Sequence, residues 1–174
     1  AIRIATYNVA LNRKKAGDLS KELRSGSSKQ TRKVCEVIQR VRPDILLINE
    51  LDFDAESESA KLFMDYLRKP QNENQPIDYP YYFTAAVNTG VDTGLDVNGD
   101  KKKKTADDAF GYGWFPGQYG MLVLSKFPID NGNLRTFQKF LWKDMPDADW
   151  PVHPKTSKPF YEEQIRSVFR LSSK

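Results

Sequence analysis

The chain has 174 residues, enough for one domain to bury an apolar core without metal or disulfide staples. With 39% hydrophobic and 29% charged residues it has a globular composition, not a disordered or coiled-coil one, and no apolar run approaches the roughly 20 residues of a membrane span. Its net charge of +4 tilts it slightly toward anionic partners, while a single cysteine (Cys35) and a single histidine (His153) exclude disulfide frameworks and zinc sites built on paired cysteines or several histidines.

The chain opens with Ile2, Ile4, Thr6 and Val9 in the alternation of a strand that ends near Asn8. Residues 12–28, rich in Lys, Ser and Gly, read as an exposed loop with room for a helical turn over 17–23. Over 30–42, Val34, Val37, Ile38 and Val41 recur at i, i+3, i+4 and i+7, which predicts an amphipathic helix stopped by Pro43. Residues 44–50 form an almost unbroken apolar run, so a strand buried on both faces is expected, parallel to the first through a helical crossover. A second helix is predicted over 55–69, with Leu62, Phe63, Tyr66 and Leu67 inward and Pro70 beyond its end. The aromatic run at 81–87 is strand-like, and 88–108 is a long polar loop. Strands are then expected over 119–125 and about 134–140, joined by a turn at 128–132. A Pro-rich loop over 145–159 leads to a last strand carrying Ile165, Val168, Phe169 and Leu171.

Chemistry is expected where strands end. Asn8 and Glu50 terminate two parallel strands, and ligands of parallel sheets bind at the carboxyl edge. An amide and a carboxylate on one rim suit Mg²⁺ or Mn²⁺, hard cations that take oxygen donors and share them with a substrate phosphate. The same residues also read as a solvent-facing strand cap and a turn former. With one histidine, in the loop Pro151-Val152-His153-Pro154, a serine-type triad has little to build on. Asp96, Asn98, Asp100 and Asp107 stand at positions 1, 3, 5 and 12 of an EF-hand-like Ca²⁺ loop, yet position 6 is Lys101 instead of glycine, and a solvated polar loop fits as well. The four lysines at 101–104 are either a solvated face or a contact for nucleic-acid phosphate. Gln118 and Tyr119 precede a strand near the expected rim, as substrate contacts or as packed residues. Cys35, between apolar neighbours, reads as a small structural side chain.

Three segments carry a resemblance. Arg3-Ile4-Ala5-Thr6-Tyr7-Asn8, then Arg42-Pro43-Asp44-Ile45-Leu46-Leu47-Ile48-Asn49-Glu50, and then Tyr119-Gly120-Met121-Leu122-Val123-Leu124-Ser125-Lys126-Phe127-Pro128-Ile129 resemble, in order, three signatures of the endonuclease/exonuclease/phosphatase family. The resemblance implies a DNase I-like α/β (α+β) sandwich of two mixed sheets flanked by helices. It implies metal-dependent hydrolysis of phosphodiester or phosphomonoester bonds by in-line attack of water. Glu50 would bind the Mg²⁺ or Mn²⁺, and Asn8 would help position metal-bound water. Asn49 stands where the family usually has glutamine and keeps an amide. Segments 110–118 and 136–146 resemble a secreted or periplasmic subgroup, which favours an extracytoplasmic location.

The family's later motifs are a histidine after the last strand, an Asp-x-Asn and a terminal Asp-His. None has a counterpart here: residues 144–146 read Asp-Met-Pro, and Asp96-Val97-Asn98 and His153 fall at the wrong places. Residues 1–174 are therefore expected to be a partial domain, cut after its first half and poor in catalysis, acting on a phosphate ester with nucleic acid among the candidates. The alternative is a non-catalytic binding module of the same fold, stabilised by Ca²⁺.

Overall fold

In the computed structural model, which describes residues 1–174, strands β1 (Ile4–Leu11) and β2 (Ile45–Leu51) pair in parallel. The crossover between them carries helices α1 (Asp18–Arg24) and α2 (Lys29–Val41). Helix α3 (Glu58–Leu67), β3 (Tyr81–Thr84) and β4 (Met121–Ser125) follow, and a short helix α4 (Glu163–Val168) lies near the C-terminus. The strands form one mixed sheet in the order β1-β2-β4-β3, with β4 antiparallel to both neighbours. The chain thus has the mixed α/β layering expected of it.

Local chemistry sets the helix limits. The Ser28 hydroxyl accepts the Thr31 N–H at 3.2 Å and starts α2; Arg42, left-handed, ends it ahead of Pro43. The Asp54 carboxylate accepts the N–H groups of Glu58 and Ser59 at 2.7 and 2.8 Å, satisfying free donors at the start of α3. Val34, Cys35 and Ile38 of α2 go into the core, whereas Val37 and Val41, expected on the same face, are exposed.

Alternate strand residues build the core against α1, α2 and α3. Val9 and Leu11, Leu46 and Ile48, and Leu122 and Leu124 meet Leu19, Leu23, Ile38, Phe63 and Leu67 in one cluster. Burying each such side chain stabilises the fold by about 1.5–3 kcal/mol. Cys35 lies inside this cluster, and burial pushes its thiol far above the ordinary range, so it is an inert packing residue.

The opposite face of the sheet carries Ile4, Leu47, Val123 and Phe83 and is only partly covered, by residues 134–138, Ser172 and Lys174; Ile4 is 72% exposed. Two expected strands are absent from this side. Residues 134–140 are irregular, with Phe137 61% exposed, because no neighbouring strand is there to take their backbone hydrogen bonds. The segment at 165–171 is helical as far as Val168, because Ile165, Val168 and Phe169 stand at i, i+3 and i+4, a helical spacing and not an alternation. Only a single bridge, Leu141 to Arg170, links the two segments.

Candidate active site

The rim at the carboxyl ends of β1 and β2 is made by two breaks in strand alternation. Strand β1 continues past Asn8 to Leu11 through a bulge, with Ala10 at φ 49°. In β2, Leu46 and Ile48 face the core, and regular alternation would send Glu50 after them. Instead Glu50 takes a left-handed backbone at φ 60°, so that Leu51 is the next residue buried and Glu50 emerges on the rim. Left-handed backbone in a residue with a side chain costs on the order of 1–3 kcal/mol and gathers at functional sites.

There the Glu50 carboxylate is held from both sides. Asn8 Nδ2 donates to its Oε1 at 2.9 Å and Asn12 Nδ2 to its Oε2 at 3.1 Å, while Asn8 Oδ1 accepts the Ala10 N–H at 3.1 Å. Two neutral amide donors fix the carboxylate without neutralising it, and each oxygen keeps acceptor capacity toward the open side. Lys174 reaches the same rim: its Nζ donates to the Tyr119 carbonyl at 2.5 Å, and burial lowers its pKa while the Glu50 charge raises it.

Beneath the rim, Asp52 ties three loops together. It is 5% exposed, and its oxygens accept the N–H groups of Arg13 at 2.7 Å and Tyr119 at 3.1 Å. Burial pushes its carboxyl up to about 6, against the opposing pull of those two N–H donors and the Arg13 guanidinium. Gln118, 3% exposed, holds Arg13 from the other end: its Nε2 donates to the Arg13 carbonyl at 2.8 Å, and its Oε1 accepts the Trp114 N–H at 2.7 Å. The Arg13 side chain is itself bound to Glu22 at 2.6 Å. An open cleft of about 590 Å³ runs beside this clasp, walled by Asn12, Arg13, Lys14, Trp114, Gln118 and Tyr119.

A sequence model of the Endonuclease/Exonuclease/phosphatase family matches residues 5–161. The chain belongs to the endonuclease/exonuclease/phosphatase family. That is a family of nuclease- and phosphatase-type hydrolases. No curated protein matches the chain, and no solved structure does. Within this family member, Asn8 and Glu50 come into direct contact, while the buried Gln118 engages backbone with both ends of its amide and so shapes the cleft. Tyr119 lines the cleft. Asn12 and Lys174 at the rim and Asp52 beneath it are not singled out by the sequence, because their partners are distant in the chain.

In the loop expected to bind Ca²⁺, the Asp96 and Asp100 carboxylates are engaged by backbone. No group of three or more His, Cys, Asp or Glu side chains is placed to hold a metal ion, here or at Glu50. Asp96 instead accepts the N–H groups of Gly99 and Lys101 at 2.7 and 2.8 Å, and Asp100 accepts that of Lys102 at 2.8 Å. Asp107, expected at position 12, is displaced in importance by its neighbour Asp108, which is fully buried. Asp108 accepts the N–H groups of Val97 and Thr105 at 2.9 and 3.0 Å and the Thr105 hydroxyl at 2.8 Å. Burial raises its pKa, and these three hydrogen bonds together outweigh that and leave it lowered. Asp108→Ala is expected to cost about 2 kcal/mol through the orphaned donors, read as a thermal midpoint about 4–8 °C lower; an unchanged midpoint would show that the loop is held by other contacts. His153 lies in a loop against the Phe160 ring, 5.0 Å between centroids, and touches none of the rim residues. The lysines at 101–104 are exposed.

Proposed function

We propose that this chain is a Mg²⁺- or Mn²⁺-dependent phosphoesterase in which Glu50 holds the metal and the rim receives the phosphate ester. The observation that carries the reading is the Glu50 carboxylate, fixed between Asn8 and Asn12 on a strained backbone at the carboxyl edge of a parallel strand pair. The donor set fits a hard cation: Mg²⁺ is commonly bound through one or two carboxylates, with water and substrate oxygens completing the shell. When bound, the ion would supply Lewis-acid stabilisation of charge developing on the phosphate. The protein's own part is positioning. Asn8 and Asn12 keep the carboxylate aimed at the open side, Lys174 adds a cation near the place where phosphate charge would sit, and Asp52 and Gln118 hold the walls.

The rim offers no free group to take a proton from attacking water. Both oxygens of Asp52 are engaged by backbone, and His153 is elsewhere. General-base assistance is commonly worth about 10²–10⁴-fold, so the chain is proposed to be a slow catalyst. Hydrolysis of bis(4-nitrophenyl) phosphate is the test. Slow turnover that requires Mg²⁺ or Mn²⁺, stops with EDTA and rises with added imidazole as an external base is the expected result. No hydrolysis at saturating metal and imidazole would overturn the reading.

A further inference from the structure

Of the three tryptophans, two are packed. Trp142 and Trp150 lie 5.8 Å apart and both pack edge-on against Phe169, at 6.3 and 6.1 Å. Trp114 has no aromatic partner and is 66% exposed. An exposed indole is apolar surface left in water, and in a mobile loop it would carry no meaning. This loop is fixed. The Trp114 N–H is bound by the buried Gln118, whose other end grips the Arg13 carbonyl. Gly117, at φ +93°, sits so close to Phe53 that a Cβ there would come within 2.5 Å of its carbonyl oxygen. Gly90, at φ +72°, packs in the same way under Phe115. The side chain is therefore displayed by a rigid support, the arrangement of an aromatic anchor.

The cleft that Trp114 walls is continuous with the rim. Asn12 belongs to both, since it lines the cleft and donates to Glu50. Arg13 is neutralised by Glu22, but Lys14, on the same wall, is exposed and has no acidic partner. A free cation beside an unpartnered aromatic ring, adjoining a phosphate-directed carboxylate, matches a strand of alternating phosphates and flat rings.

We propose that Trp114 is a stacking platform for an unpaired base of a single-stranded nucleic acid whose backbone passes Glu50, with Lys14 on a neighbouring phosphate, and that it gives the site a preference for unpaired over duplex strands. This rests on the phosphoesterase reading above and assigns its substrate class. Stacking on a protein ring needs a base face that is not already stacked in a helix, so a duplex does not satisfy Trp114. A lipid headgroup or sugar phosphate carries no planar base to stack there.

The test is anisotropy of a labelled oligodeoxynucleotide in EDTA, where no turnover occurs. The probes are the single strand, its duplex and an abasic strand of equal length. The wild type is expected to bind the single strand most tightly. Trp114→Ala should weaken that binding about 5- to 150-fold, the usual weight of one stacked base, and Trp114→Phe should restore most of it. The abasic strand should bind wild type as weakly as the intact strand binds Trp114→Ala. Equal binding by wild type and Trp114→Ala, equal losses with intact and abasic strands, or a duplex bound as tightly as the single strand each overturns the proposal. Binding of phosphoinositide vesicles in place of the oligonucleotide does so too. Because the measurement needs no metal, a failure here leaves metal-dependent hydrolysis untouched, and a chain without hydrolysis still reports on Trp114.

Discussion

Asp52→Ala is expected to lower stability by about 3 kcal/mol at neutral pH, seen as a thermal midpoint about 6–12 °C below wild type. Its carboxylate is the only acceptor for the N–H groups of Arg13 and Tyr119 at this buried junction, and each buried donor left without a partner costs about 1–3 kcal/mol. The pH dependence distinguishes this cause from loss of packing. In the folded chain the carboxyl is pushed up to about 6, against 3.8 for the ordinary group. Between those values the folded state holds the proton more tightly than the unfolded state. Acidification through that window therefore stabilises the wild type through Asp52; the gain is complete below about 3.8 and lost as pH rises through 6. The variant has no such group, so the difference between the two proteins should widen from pH 7 to pH 4.5. Glu22, Glu36, Asp44, Asp108 and Asp130, whose pKa values are lowered, act in the opposite direction in both proteins. A constant difference across this range would show that Asp52 does not titrate as its surroundings imply.

The sheet-forming half of the chain was legible because its signals are local. Val34 and Ile38 mark a helix, Pro43 stops it, and the apolar run from Ile45 leads directly to Glu50. The C-terminal third is less legible. Ile165, Val168 and Phe169 have the spacing of a helix turn and only Phe169 and Leu171 alternate, while Leu134 and Phe137 suggest a strand where no partner strand lies alongside. At the site, the types and edge position of Asn8 and Glu50 follow from strand ends, but the clasp does not. Asp52 reaches Arg13 across 39 residues and Tyr119 across 67, and Gln118 reaches Arg13 across 105, always through backbone groups that every residue possesses. Side-chain type alone carries no trace of such partners. The left-handed turn at Glu50 was equally hidden, since glutamate has no preference for it.

That turn makes Glu50 the decisive position. Glu50→Gln keeps the shape but removes the charge and replaces one acceptor by a donor, so the new amide can receive Asn8 or Asn12 and not both. The expected loss of stability is about 1 kcal/mol, one neutral hydrogen bond. The expected loss in Mn²⁺ affinity, followed by titration calorimetry, is about 100-fold or more, because partners that merely orient a ligand already cost 10–100-fold when removed; Asn8→Ala and Asn12→Ala should fall in that lower range. Metal-dependent hydrolysis should disappear with Glu50→Gln, and affinity and turnover equal to wild type would exclude Glu50 as the ligand. Glu50→Gly separates the roles further. It deletes the carboxylate and both of its hydrogen bonds, yet glycine occupies φ near 60° without strain, which offsets a cost of on the order of 1–3 kcal/mol. A variant as stable as wild type but unable to bind metal would mean that the strain at Glu50 is retained for the site and not for the fold. A variant several kcal/mol less stable would make Glu50 a structural cap that holds Asn8 and Asn12 in place.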